Sequence, residues 1–333
     1  MQTSETSGWW NRSCKINKVL NGKIIIVTGA NTGHGLALTT DLARRGGHVI
    51  MACRSVDRAN TSRDMLIAQY GTETAATKPT ATASYFRPIH PDQLEVEQVD
   101  LSSFSSVRDF VQRIQKKYTQ IHYLFNNAGI VCDYAISEDG HEMTMAVNHL
   151  AHVLLTVLLL PLLHAGAPSR IVFIGSRSQY MGRLVKPDLI MPRSRYRPYA
   201  AYCQSKLATG MFAKELGMRL RDTGILACYV DPGPIDTEIV RDTRMLKAKV
   251  AKTLMHWFFK SADKGAQTAI YAALSENIQP GGFYFNCRPC GHGRQANDAK
   301  ESEWLFTKSC ELVGVDIPLD NKESQPFKLL ISN

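Results

Sequence analysis

Tyr202 and Lys206 stand four residues apart in a segment with helical spacing, which predicts that both side chains lie on one face of a helix. A phenol with an ordinary pKa near ~10 exchanges protons poorly at neutral pH, and an adjacent ammonium is expected to stabilise the phenolate and lower that pKa. The pair is therefore a candidate for proton transfer to an oxygen atom. The alternative is an amphipathic helix with a half-buried tyrosine and a solvated lysine.

Two further polar residues, Ser176 and Asn148, are candidates for chemistry. Ser176 directly follows a predicted strand, at the sheet edge where open α/β folds bind ligands, although a serine there more often caps a turn. Asn148 lies inside a predicted helix among apolar residues, which indicates a buried polar role such as holding a water molecule; an exposed asparagine is the alternative. His149 and His152 share that helix, and packing is favoured over a metal pair because no third ligand has supporting spacing.

A glycine-rich turn follows the first predicted strand. The β-branched run Ile24–Val27 predicts a buried strand, and Leu36–Arg45 has the spacing of a helix. Between them stand Gly29, Gly33 and Gly35, whose missing Cβ atoms allow close approach to free backbone N–H groups at the start of a helix. Such a turn favours an anion such as a pyrophosphate, although three glycines alone could equally be an ordinary turn.

The residue at the end of the second predicted strand bears on cofactor choice. Arg54 follows the strand His48–Cys53, where an acidic residue would accept a hydrogen bond from a ribose 2′-hydroxyl. A guanidinium suits a 2′-phosphate instead, so the sequence predicts NADP(H) over NAD(H). Asp57 stands close enough in sequence to reach the ribose and keeps NAD(H) open.

Strands and helices alternate along the chain, which predicts an α/β fold: a Rossmann-like doubly wound parallel sheet in a single domain. The predicted strands are 24–27, 48–53, 94–99, 121–125, 171–174, 225–230 and 281–285, and the predicted helices are 36–45, 59–70, 102–118, 142–164, 199–221, 261–274 and a last one capped by Ser302. We expect residues 1–21 to be a lead-in, 22–290 the dinucleotide-binding catalytic domain with an inserted loop at 71–92, and 291–333 a tail with a short helix.

Composition narrows the function classes. The net charge of +9 is scattered without a basic run, which argues against a nucleic-acid partner and favours a surface that faces an anionic cofactor or anionic lipid. The N-terminus lacks the apolar core of a signal peptide, and the longest apolar run, Val153–Leu163, is too short to span a bilayer. The eight cysteines are irregularly spaced, and Cys287 and Cys290 form only half of a zinc pattern, so we expect no metal. We therefore expect an intracellular protein, cytoplasmic or peripherally membrane-associated.

These motifs together resemble the short-chain dehydrogenase/reductase family. The matching stretches are Thr28–Gly35, Asp100–Leu101, Asn126–Gly129, Asn148, Ser176, Tyr202-x-x-x-Lys206 and Pro232–Gly233, in the family's order and near its spacing. Ala52–Arg54, Val147–Leu150, Ala201–Leu207 and Gly281–Tyr284 are similar to its retinol-dehydrogenase-like branch. The chain departs from the family at His34, where a small aliphatic residue is usual, at Gly175, which replaces the first of two serines, and at Ala151, which replaces a common glycine. We also expect it not to have the N-terminal membrane anchor that is usual in the branch.

The resemblance implies a role for each matching residue. The implied contacts with the pyrophosphate are Gly29, Ala30, Asn31, Thr32, Gly33, His34 and Gly35, and those with the adenosine end are Arg54, Asp100 and Leu101. Asn126 and Gly129 would line the cofactor cleft. The implied contacts with the nicotinamide carboxamide are Pro232, Gly233, Ile235 and Thr237, and those with the nicotinamide ribose are Tyr202 and Lys206. Ser176 would bind the substrate oxygen, Tyr202 would exchange its proton, Lys206 would tune Tyr202, and Asn148 would anchor a proton-relay water.

The predicted function is an NADP(H)-dependent oxidoreductase that interconverts a lipophilic alcohol and its aldehyde or ketone, such as a retinoid, isoprenoid or steroid. Leu254, Met255, Trp257, Phe258 and Phe259 form an apolar cluster that favours a lipophilic substrate, and a membrane surface or a homodimer contact are its alternatives. A non-catalytic NADP-binding regulator or scaffold on the same fold, or a double-bond reductase, are the rival functions.

Overall fold

The computed structural model describes residues 12–72, 85–234 and 261–315. In chain order the strands are β1 (Ile24–Thr28), β2 (His48–Cys53), β3 (Leu94–Gln98), β4 (Tyr123–Asn126), β5 (Ser169–Ile174), β6 (Ile225–Asp231), β7 (Phe283–Phe285) and β8 (Arg288–Cys290). The helices are α1 (Gly33–Arg44), α2 (Val56–Tyr70), α3 (Phe104–Lys117), α4 (Met143–Ala165), α5 (Pro198–Arg219), α6 (Ala262–Leu274) and α7 (Ala299–Leu312).

The strands of the described residues form one sheet in the order β3-β2-β1-β4-β5-β6-β7-β8, and all neighbours are parallel except β7 and β8. Ile26 of β1 pairs with Ile50 on one side and Leu124 on the other. Because β2 and β4 lie on opposite sides of β1, the chain winds in both directions from this central strand, and the crevice between β1 and β4 is the place where such sheets bind ligands. The predicted α/β fold class is confirmed.

Two apolar layers cover the sheet, one on each face. Helices α3, α4, α5 and α7 supply one cluster, and α1, α2 and α6 supply the other. Helix α4 is long and apolar enough to cross a membrane, but 89% of that apolar window is buried inside the fold, as expected of a core helix. Its residues Ala146–Leu150 form a π-helical turn, an irregularity that often marks functional sites.

The C-terminal part departs from the predicted elements in two places. The chain turns after β7 through Asn286 and Cys287, both with positive φ (52° and 55°), and β8 returns antiparallel. This hairpin escaped prediction because neither turn residue is a glycine. The predicted cap Ser302 is wrong: Asp298 caps α7 by accepting hydrogen bonds from the Lys300 and Glu301 N–H groups, while Ser302 is buried within the helix.

Candidate active site

A cavity of ≈570 Å³ opens at the carboxyl edge of the sheet, where β1, β2, β4, β5 and β6 end. The predicted site residues that line it are Gly29, Asn31, Thr32, Gly33, His34, Gly35, Arg54, Asp100, Leu101, Gly129, Ser176, Tyr202, Lys206, Pro232 and Gly233. Ile235, Thr237 and the apolar cluster at 254–259 lie outside the described residues. The topology thus brings together side chains that are far apart in sequence.

Gly29 and residues 31–35, with Arg54, Ser55 and Arg58, form what we call the glycine-loop wall. Gly29 has a φ of +65°, in the left-handed region that favours glycine. A Cβ on Gly35 would lie 2.1 Å from the Gly29 carbonyl oxygen, so only glycine fits there. The N-cap of α1, Thr32, makes no side-chain hydrogen bond to the first turn, which leaves the backbone N–H groups of that turn available to an anion.

Cationic side chains stand at the β2 end of this wall. Arg54 and Arg58 are exposed and line the cavity, as does Ser55. Asp57, the alternative ribose acceptor, is not among the described lining residues. Arg58 was missed by sequence reasoning; its place in the first turn of α2, just after the β2 end, was the signal that could have found it.

Ser176, Tyr202 and Lys206 line another part of the cavity, which we call the catalytic wall. Tyr202 lies on α5, and its phenol forms a side-chain hydrogen bond with Ser176. Burial raises the pKa of Tyr202, the Ser176 hydrogen bond lowers it, and the Asp231 carboxylate raises it. The pKa of Tyr202 is raised overall because burial is the largest influence, and the lowering of this pKa by Lys206 stays a prediction.

The Lys206 ammonium is held at the base of the cavity. Its Nζ donates a hydrogen bond to the Ile174 carbonyl at 2.9 Å and lies 5.6 Å from the centre of the Tyr202 ring. Gly129 faces the same group, since a Cβ built there would be 3.6 Å from Nζ. Burial lowers the pKa of Lys206 to about 8, and Asp231 opposes that shift. The ammonium therefore titrates near physiological pH.

Asn148 is buried, as predicted, and its amide is taken up by protein groups. Oδ1 accepts from the Ile130 N–H at 2.7 Å, and Nδ2 donates to the Ile130 carbonyl and to Ser205 Oγ, each at 3.0 Å. Its side chain is not among the described lining of the cavity. The amide therefore fixes the strand-to-helix connection beside Gly129, and its predicted contact with a water stays a prediction.

The two histidines of α4 are packed in the core. His149 Nε2 lies 2.8 Å from Ser309 Oγ on α7, and His152 Nε2 lies 3.0 Å from Thr28 Oγ1 at the end of β1. Burial lowers the pKa of His149 to about 3 and that of His152 to about 4, so both rings are neutral. Thr28 Oγ1 in turn accepts from the Asn127 and Ala128 N–H groups, which ties α4 to the ends of β1 and β4.

Two residues predicted to contact the cofactor, Ala30 and Asn126, lie beside the cavity but not in its described lining. Ala30 is fully buried in the apolar layer below the loop, and Asn126 donates to Thr156 Oγ1 at 2.8 Å toward α4. Neither is among the described residues that line the cavity. Side chains alternate along a strand, so Asn127 and not Asn126 faces the glycine loop, where its Nδ2 donates to the Thr28 carbonyl at 2.7 Å.

An ion pair beside the catalytic wall was also missed. Arg177 Nε donates to Asp231 Oδ2 at 2.8 Å, and Asp231 Oδ1 accepts from the Gly233 N–H at 2.8 Å. Asp231 is buried and lines the cavity. The pair joins the turn that follows Ser176 to the loop that follows β6, two segments whose proximity only the sheet order reveals.

Comparison with known proteins identifies the family. The short chain dehydrogenase model matches residues 72–247. Human retinol dehydrogenase 12 is 36% identical over 305 residues, covering 91% of this chain and 90% of the relative, and mouse retinol dehydrogenase 13 is 34% identical over 310 residues, covering 91% and 87%. The chain belongs to the short-chain dehydrogenase family, in its retinol-dehydrogenase-like branch, and is an oxidoreductase.

Solved structures agree in fold. An uncharacterized protein from Mycobacterium paratuberculosis is 30% identical with a TM-score of 0.68, covering 91% of this chain and 97% of that one. L-sorbose reductase from Gluconobacter frateurii, solved with NADPH and L-sorbose, is 21% identical with a TM-score of 0.60, covering 84% and 98%, and this likeness shows the fold alone. Members of the family bind NAD(P), and the close-packed glycines, free first-turn N–H groups and arginines of the glycine-loop wall fit its phosphates.

Proposed function

We propose that this chain is an NADP(H)-dependent oxidoreductase that interconverts a lipophilic alcohol and its aldehyde or ketone, with Tyr202 as the acid/base. The observation that carries the proposal is the meeting of Tyr202, Ser176 and Lys206 on one wall of a cavity whose other wall is the glycine loop. A proton donor, a second hydroxyl and a cation then surround one position for a reacting oxygen.

Each group of the catalytic wall has a task in this reaction. When bound, NADPH supplies the hydride that reduces the carbonyl carbon. In the reductive direction Tyr202 donates its phenolic proton to the substrate oxygen, and Ser176 Oγ donates a hydrogen bond to the same oxygen. The raised pKa of Tyr202 keeps that proton in place until the oxygen becomes basic. Lys206, charged below its pKa of about 8, then stabilises the phenolate that the transfer leaves behind.

Cofactor choice rests on the arginines of the glycine-loop wall. Arg54 and Arg58 both reach the cavity from the end of β2 and the first turn of α2, and two guanidinium groups suit the additional phosphate of NADP(H). The carboxylates among the described lining residues are Asp100 and Asp231, and Asp100, which follows β3, already accepts from the Ser102 N–H and hydroxyl through Oδ1. We therefore propose NADP(H) over NAD(H).

Apolar side chains support a lipophilic substrate. Ile130, Cys132, Ala135, Met143 and Val147 also line the cavity. Contact between these side chains and a hydrocarbon substrate removes apolar surface from water, which favours binding, and the same side chains offer few hydrogen bonds to a sugar or an organic acid. The relatives bear the name retinol dehydrogenase, and retinol is an alcohol of this kind.

The test is turnover of purified protein with NADPH and retinaldehyde, a long isoprenoid aldehyde, a steroid ketone and an enone, with identification of the product. We expect the alcohol from each accepted aldehyde or ketone, and Tyr202→Phe should lower kcat by about 10²- to 10⁴-fold while NADPH still binds. Tyr271→Phe, on α6 away from the cavity, is the matched control with unchanged kcat. Full activity of Tyr202→Phe contradicts the acid/base role, and reduction of only the enone double bond favours the rival chemistry.

A further inference from the structure

Tyr229 on β6 places a buried hydroxyl between two members of the catalytic wall. The residue is fully buried, and its Oη accepts a hydrogen bond from the Ser176 N–H at 2.9 Å. The same Oη lies 3.0 Å from the Lys206 carbonyl and 3.2 Å from the Ser176 carbonyl, either of which can accept its single proton. One phenol thus bonds the backbones of both residues.

Gly175 provides the space for this hydroxyl. A Cβ built on Gly175 would lie 1.8 Å from Tyr229 Cζ and 2.2 Å from its Oη, so the phenol occupies the volume that a side chain on residue 175 would fill. The family resemblance leads one to expect a serine at position 175. In this chain the neighbouring strand therefore supplies a hydroxyl at a place where residue 175 cannot carry one.

We infer that Tyr229 is a positioning residue: its hydroxyl fixes Ser176 and Lys206 in one frame, so that the Ser176 and Tyr202 hydroxyls converge on the same substrate oxygen. This inference rests on the proposed function. Lys206 Nζ is itself bonded to Ile174, so residues 174 to 176 and Lys206 form one linked unit at the end of β5. Without the hydroxyl, the Ser176 N–H would lose the one partner it has among the described groups and the turn would relax.

Tyr229 is not a second acid/base. Burial holds its pKa well above the ordinary value, it has no exposed surface, and it is not among the described residues that line the cavity. Its hydroxyl stays protonated and acts only through the residues it bonds. A displacement of a reacting group by about 1 Å can cost about 10²-fold in rate, which sets the scale of the expected effect.

Tyr229→Phe tests the inference because it removes only the hydroxyl. We expect kcat to fall by about ten- to a hundredfold, with KM and the Kd for NADPH within about twofold of wild type. Tyr284→Phe is the matched control: Tyr284 is equally buried on the next strand, and its hydroxyl accepts from a backbone N–H, that of Gln279, at 2.7 Å. The control should keep wild-type kcat, although it loses the same kind of hydrogen bond.

A second variant guards against misfolding of the first. Gly175→Ala keeps the hydroxyl but presses a methyl group against the Tyr229 ring, so it should lower kcat in the same way while circular dichroism shows a folded protein. Wild-type kcat in either folded variant, or an equal loss in Tyr284→Phe, overturns the inference. Absence of turnover in the wild-type protein contradicts the proposed function instead, so the two failures are distinguishable.

Discussion

The two walls of the cavity are built by different means. The glycine-loop wall depends on atoms that are missing: Gly35 packs directly against the Gly29 carbonyl, and the first turn of α1 is left uncapped by side chains. The catalytic wall depends on atoms that are present, since Ser176 and Lys206 are held by buried hydrogen bonds to Tyr229 and Ile174. We therefore expect the glycine-loop wall to lose cofactor binding when a group is added, and the catalytic wall to lose activity when a group is removed.

Beyond Tyr202→Phe, the largest effect is expected from adding one methyl group to the glycine-loop wall. In Gly35→Ala the new Cβ would meet the Gly29 oxygen at 2.1 Å and Asn127 Nδ2 at 2.6 Å, and the backbone carbonyl cannot move aside cheaply. We expect the Kd for NADPH to rise at least about a hundredfold, or the protein to lose its fold, as measured by cofactor fluorescence and circular dichroism. In Gly291→Ala the added methyl would have no neighbour within 4 Å, and this control should match wild type.

This contrast also explains what the sequence could predict. Glycine spacing is a local signal, so the turn at Gly29–Gly35 and the strand and helix beside it could be derived from residues in sequence order. Ser176 and Tyr202 came from the same local logic, strengthened by a family resemblance. The fold class followed from the alternation of strands and helices, although boundaries shifted by a few residues.

The supporting contacts could not be predicted, because each depends on the spatial order of strands. The Arg177–Asp231 pair forms only because β5 and β6 are neighbours in the sheet. Position 175 requires a glycine because the Tyr229 ring of the neighbouring strand occupies the space that a Cβ would fill. The net rise in the pKa of Tyr202 could not be predicted for a related reason. A helix face shows that Lys206 is near, but the buried environment that outweighs it is a property of the tertiary structure.

The second expected effect concerns the core beneath both walls, in which His149 and His152 are buried as neutral rings. Their pKa values of about 3 and about 4 lie below the ordinary value near ~6.5. Because the unfolded chain takes up protons on these rings more readily than the folded one, the free energy of unfolding is at its full value above about pH 6.5 and decreases as pH falls toward 4. At pH 5 each buried histidine therefore lowers the free energy of unfolding by about 2 kcal/mol relative to neutral pH.

Urea unfolding at pH 7.5 and pH 5 measures this linkage. His149→Gln should be less stable than wild type at pH 7.5 but should lose about 2 kcal/mol less between the two pH values, because glutamine does not titrate. His90→Gln, at an exposed histidine, should show the full wild-type loss. An identical pH dependence in wild type and His149→Gln is the result that contradicts this account of the core.

The third expected effect lies at the cationic end of the glycine-loop wall. Arg54→Asp places a negative charge where we propose that the 2′-phosphate binds, so the Kd for NADPH should rise about five- to tenfold more than the Kd for NADH. Arg63→Asp on the same part of the chain is the control, because Arg63 pairs with Asp64 and is not among the described lining residues. Equal weakening of the two cofactors in Arg54→Asp counts against the NADP(H) assignment.

The smallest expected effect tests how the catalytic wall sets its own pH range. If the charged Lys206 supports catalysis, the reductive rate should fall as pH rises through about 8, where the ammonium is lost. Asp231 raises the pKa of Lys206, so Asp231→Asn should move this fall to lower pH and reduce the rate at pH 8 by about two- to threefold. The rate at pH 6.5 should change less, since most of the lysine remains charged there.

Asp92→Asn removes an exposed carboxylate outside the cavity and should leave the profile in place. A shift toward higher pH in Asp231→Asn would mean that the lysine does not control the alkaline limb, because removing a nearby negative charge cannot raise the pKa of an ammonium.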